Sequence, residues 1–174
     1  MTPIDGELLE VKPEFMGFNN TGYPGAFPSR VEKIIRSLAE SPCLHLFSGR
    51  SKIGDVRIDL ERPEATLNCD VLEFIRSNDK TWLTVVADPP YDTPKGVVRN
   101  GLDKAYARAR NLNTQEQVEI NAWLRRHAEN VLWFDVTSPC PEGFYRHKTW
   151  LFLPGSMRHI RALTWLKRKG ERLA

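Results

Sequence analysis

Apolar residues recur along this chain in short β-branched blocks, separated by polar stretches with helical spacing. Leu44-His45-Leu46-Phe47 reads as a buried strand, and Val56-Arg57-Ile58-Asp59-Leu60 as a second that ends at an acid. Ala65 to Asp70 has room for a short third strand, and Val71 to Ile75 for a helical turn. Trp82 to Ala87 and Val131 to Val136 are further buried strands, and Phe144–Tyr145 with Thr149–Leu153 suggest one or two terminal ones. Between them, Ser29-x-x-Glu32 has the spacing of a capping box, ahead of Val31, Ile34, Ile35 and Leu38, with Pro42 as the stop. Asn113 or Thr114 can cap a second helix whose apolar face is Val118, Trp123, Leu124 and Ala128. Ser156 opens a last predicted helix, on which Arg158, Arg161, Trp165, Arg168 and Arg172 recur at three- and four-residue steps. Residues 1–28 read as irregular, their Phe15, Phe18, Tyr23 and Phe27 draping over the domain. Strands alternating with helices predict a mostly parallel α/β sheet. With no repeat, low-complexity tract or linker, residues 1–174 are expected to form a single domain.

Composition narrows the function classes. A chain of 174 residues is enough for one ordinary core, and no segment has the apolar length of a membrane span. The early acids Asp5, Glu7 and Glu10 do not fit a signal peptide. Three widely spaced cysteines, Cys43, Cys69 and Cys140, show no metal-ligand pattern and suggest a reducing, cytoplasmic setting. Net charge is only +3, yet from Tyr145 onward eight Lys or Arg face Glu171 alone. A basic end of this kind suits a polyanionic partner.

The chemistry concentrates in Leu83-Thr84-Val85-Val86-Ala87-Asp88-Pro89-Pro90-Tyr91, an apolar strand that runs directly into Asp-Pro-Pro-Tyr. Ligands of open α/β sheets sit beyond the carboxyl ends of their strands, which is where this tetrapeptide falls. The lone pair of an aromatic amine is delocalised into its ring. A carboxylate acceptor at Asp88 and carbonyls held by Pro89 and Pro90 would pull such a nitrogen toward tetrahedral geometry. Tyr91 would stack on the base. The tetrapeptide resembles the catalytic motif of S-adenosylmethionine-dependent amino-methyltransferases, which methylate exocyclic nitrogens of bases, and most closely their adenine N6 members. That resemblance implies a Rossmann-like methyltransferase fold with S-adenosylmethionine as cofactor. It further implies that Phe47-Ser48-Gly49-Arg50-Ser51 stands for the cofactor turn, with Ser51 replacing a second glycine. Asp59, with Leu60 beside it, would take the ribose, and Asp70 with Val71 the adenine ring. Gly49 and Asp59 lie only ten positions apart. A shortened first crossover, a loop in place of a helix, is the expectation that follows.

Around this centre, Lys95 and Arg99 follow the tetrapeptide in a polar loop and, with Arg158 and Arg161, are the candidate nucleic-acid contacts. Gly49-Arg50-Ser51-Lys52 lacks the ending of a phosphate-binding P-loop. His45, His127, His147 and His159 share no metal-ligand spacing, so no metal is expected, and Pro139-Cys140-Pro141 reads as structural. The sequence therefore points to an enzyme that methylates an exocyclic amine in nucleic acid, DNA before RNA. An RNA base amino-methyltransferase and a non-catalytic nucleic-acid-binding protein of the same fold are the alternatives. With little chain left for a target-recognition domain, the expected sequence specificity is modest, or supplied by loops or by a second subunit, either a partner or a second copy in a homodimer.

Overall fold

The computed structural model describes residues 11–15, 27–90, 112–153 and 160–170, and the account below is confined to them. The elements in chain order are β1 (Val11–Phe15), α1 (Ser29–Leu38), β2 (Cys43–Leu46), β3 (Val56–Asp59), β4 (Leu67–Asn68), α2 (Val71–Ser77) and β5 (Trp82–Ala87), then α3 (Thr114–His127), β6 (Ala128–Asp135), β7 (Phe144–Leu153) and β8 (Arg161–Arg168). The strands form one eight-stranded sheet in the order β1-β7-β8-β6-β5-β2-β3-β4. Every pairing is parallel except those of β8, which lies antiparallel between β6 and β7. This is a Rossmann-like, mostly parallel α/β architecture. The strand order reverses at β2, whose neighbours are β3 on one side and β5 on the other.

Central strands of such a sheet are covered on both faces, so their sequences run apolar without alternation. In β5, Thr84, Val85, Val86 and Ala87 are all buried. Thr84 satisfies its hydroxyl by accepting the Glu40 N–H at 3.0 Å. On one face, Leu44, Leu46, Ile58, Val85, Val131 and Trp133 pack with Ile75 of α2 and with Ile120, Trp123 and Leu124 of α3. On the other, Cys43, Val86, Leu132, Phe134, Trp150, Phe152 and Leu163 meet Val31 and Ile35 of α1. Each such side chain contributes roughly 1.5–3 kcal/mol through burial.

The crossover from β2 to β3 is a loop, as the short Gly49–Asp59 interval requires. The face it leaves bare is filled by Ile53, α1 and Phe27, whose ring stacks on His45 at 5.5 Å and meets Phe134 edge-on. The aromatic N-terminal segment thus lends at least Phe27 to the core. Part of that segment is regular: Val11–Phe15 pairs with β7 at the sheet edge.

Three other expectations are corrected. The stretch read as a terminal helix holds strand β8 instead, buried on both faces through Ala162, Leu163, Thr164 and Leu166. Ser29 does not cap α1. The cap position is Pro28, without a side-chain bond, and Glu32 pairs instead with Arg36 at 2.7 Å. In α3 the buried apolar face is Ile120, Trp123 and Leu124, whereas Val118 is exposed. Asn113 does cap α3, in a reciprocal box with Glu116. The terminal strands are one continuous β7, with a bulge between Arg146 and Lys148.

Candidate active site

Leu46 pairs with Ala87 and with Ile58, so the segments that leave β2, β3 and β5 emerge side by side. Phe47 follows β2 with φ of 59°, in the left-handed region that costs a bulky residue strain. Its neighbour Ser48 is buried, donates its N–H to Ile58 O at 2.8 Å, and has no hydrogen-bond partner for its hydroxyl among the described residues. Gly49, at φ of 54°, continues the left-handed path that glycine tolerates freely. Ser51 closes the turn: its N–H donates to Ser48 O, and its hydroxyl accepts the Ile53 N–H. A hydroxyl that caps the following backbone explains why serine stands here rather than a second glycine.

Asp59 ends β3 and faces the same turn. Its Oδ2 accepts the Gly49 N–H at 2.9 Å, while Oδ1 accepts those of Glu61 and Arg62, each at 2.9 Å. A carboxylate offers about four acceptor positions, so room is left for about one further donor. Leu60 is half-buried beside it, and Arg50 is exposed with Nε 3.6 Å from Glu64. Asp70 is the N-cap of α2, where Oδ1 accepts the Leu72 N–H at 2.7 Å and the Glu73 N–H at 3.4 Å. Val71 is buried in the core.

Beyond β5 stand Asp88, Pro89 and Pro90, with Pro89 buried. Tyr91 lies outside the described residues, as do Lys95, Arg99 and Arg158. Asp88 faces Arg161, whose Nη2 donates to its Oδ1 at 3.2 Å. Both side chains are nearly enclosed, 12% and 10% exposed. Burial pushes the Asp88 carboxyl up to about 7; Arg161 pulls it down, and Asp135 adds to the upward push. Asp135, at the end of β6, accepts from Val136 N–H and the Thr137 hydroxyl.

The arrangement corrects one assignment. Arg161 does not belong to an exposed basic face; it is buried against the Phe134 ring, its guanidinium carbon 4.0 Å from the centroid. Arg168 is also occupied, donating to the backbone carbonyls of Arg125 and Ala128. Reading 158–172 at helical spacing hid this, because only strand alternation turns Arg161 toward β6 and β5. Asp135 was missed as well. Its signal was the acid at the tip of the Val131–Val136 strand, the same placement that singled out Asp59.

No protein-family model and no curated protein sequence matches the chain. Among solved structures it is similar to one described as "Putative methyltransferase yhhF from Escherichia coli", at 14% identity and a TM-score of 0.48, over 85% of this chain and 92% of that one.

Proposed function

We propose that the chain is an S-adenosylmethionine-dependent methyltransferase acting on an exocyclic amine of a nucleic-acid base, with adenine N6 in DNA as the preferred target. The observation that carries this reading is Asp88-Pro89-Pro90 leaving β5 directly beside the strained Phe47-Ser48-Gly49 turn, where the sheet order reverses. Crevices at that point of an open α/β sheet are where ligands bind. The preference for DNA adenine rests on the resemblance of Asp-Pro-Pro-Tyr.

The cofactor side fits a nucleoside-like ligand. Ser48 brings a buried hydroxyl without a partner among the described residues, and Asp59 retains acceptor capacity next to the turn. When bound, S-adenosylmethionine supplies an electrophilic methyl group on a sulfonium. Ser48 and Gly49 would line it, Asp59 would take one ribose hydroxyl, and Asp70 with Val71 would border the adenine.

On the substrate side, Asp88 accepts one amine N–H and a carbonyl of the proline pair the other, which turns the nitrogen lone pair toward the methyl. The bound cofactor would supply that methyl and be left as the neutral thioether, and the methylated nitrogen would then shed a proton. A carboxylate held near 7 takes that proton more readily than one of ordinary acidity, and passes it to water. Asp88 is active as the anion, so transfer rises with pH through about 7.

The test is calorimetric titration of the purified protein with S-adenosylmethionine, beside Asp59→Ala. Binding that weakens in the variant supports the compressed cofactor site. Absence of binding by folded wild-type protein would instead favour the non-catalytic nucleic-acid binder. That reading draws on the three backbone bonds that already occupy Asp59.

A further inference from the structure

We propose that Arg161, reaching from β8 to Asp88, is a positioning residue for methyl transfer: it holds one oxygen of Asp88 and keeps the group a carboxylate. The inference rests on the methyl-transfer reading above and adds a residue to its machinery. Three observations lead to it. The contact is a charge-assisted hydrogen bond of 3.2 Å between nearly enclosed groups. The guanidinium is seated on the Phe134 ring, which is itself held edge-on by Phe152 and Phe27. Oδ1 of Asp88 is thereby fixed, and no other hydrogen bond to Asp88 is made among the described residues.

The third observation is the charge around Asp88. Among the described residues, the ionisable groups that act on it are Arg161 of β8 and Asp135 of β6. Asp135 has both oxygens engaged, with Val136 N–H and the Thr137 hydroxyl. Burial and the nearby Asp135 both favour a neutral Asp88, and Arg161 opposes them. A protonated Asp88 would present an O–H in place of an acceptor and could not draw on the amine. A buried ion pair is a weak source of stability, so its presence at this point is better accounted for by the charge it maintains.

Arg161→Gln and Arg161→Lys test the assignment through the pH profile of kcat with labelled S-adenosylmethionine and adenine-containing DNA. In the wild type the acidic limb should fall near 7. In Arg161→Gln it should move up by about one unit or more, a loss of roughly fivefold or more in carboxylate at neutral pH that alkaline buffer restores. Arg161→Lys should lie between, with KM for DNA little changed. A uniform loss at every pH, or an unmoved limb, would overturn the proposal, since a merely structural role predicts one or the other. If the wild type transfers no methyl group to any nucleic acid, the methylation reading has failed, and carbon-13 NMR of the Asp88 carboxyl, assigned with Asp88→Asn, decides separately. Titration displaced upward in Arg161→Gln, or in Arg161→Lys if the glutamine variant does not fold, supports the hold of Arg161 on that charge. Unchanged titration overturns it.

Discussion

His45 on β2 is buried and Asp88, just beyond the neighbouring β5, is nearly enclosed, yet the two polar groups serve different ends. His45 donates through Nδ1 to Ile53 O at 3.2 Å, and its Nε2 is buried with no partner among the described residues. Ile53 O is an acceptor, so Nδ1 carries the proton and the ring is neutral. Burial lowers its pKa to about 4 from 6.5. For a base depressed on folding, the stabilisation is complete above pH 6.5 and is lost as pH falls toward 4. The gap corresponds to about 3 kcal/mol. Thermal melts between pH 7 and 4 should therefore steepen in the wild type and flatten in His45→Leu. An equal slope in both would contradict this role. Asp88 was legible in the sequence because its chemistry is written in four adjacent residues. Arg161, its partner across 73 positions, was legible only as a charge. No local pattern ties the two, and only the antiparallel insertion of β8 brings them together.

Elements set by local signals were read most directly. The Asn113–Glu116 box sits within four residues and caps α3 as its spacing implies, with bonds of 3.0 Å and 2.9 Å. Asn113→Ala should cost about 1 kcal/mol, measurable as a lowered urea midpoint with an unchanged slope. No change in the midpoint would mean that solvent satisfies the end of the helix equally well. Ser29-x-x-Glu32 carried a similar signal and failed, since Pro28 takes the cap position and Glu32 turns to Arg36. Spacing alone does not decide which residue starts a helix. Strand β8 was mistaken for a helix because a strand buried on both faces loses the two-residue alternation that would have marked it. Its cationic residues, Arg161, Lys167 and Arg168, sit at the ends, where their charges find Asp88, the Trp165 ring and Glu129. The steps of four and three residues from Arg161 to Trp165 to Arg168 lie within this strand and mark no helix face.

At the scale of the molecule, the short first crossover is the feature with the widest effect. Dropping a helix between β2 and β3 lets Asp59 bond Gly49 directly and transfers the cover of that face to α1 and Phe27. The order turn, acid, acid, tetrapeptide is readable along the chain; that Asp70, the second acid, caps α2 emerges only from the fold. The basic C-terminal stretch was read as a surface for a polyanion, and the fold turns part of it inward. The measurement that tests the account most directly is transfer of labelled methyl from S-adenosylmethionine to adenine-containing DNA and to structured RNA, by wild type and Asp88→Ala. The account predicts incorporation into DNA above RNA, reduced at least a hundredfold in a folded Asp88→Ala protein, roughly the low end of what acid–base and positioning groups contribute. Full incorporation by Asp88→Ala would contradict it.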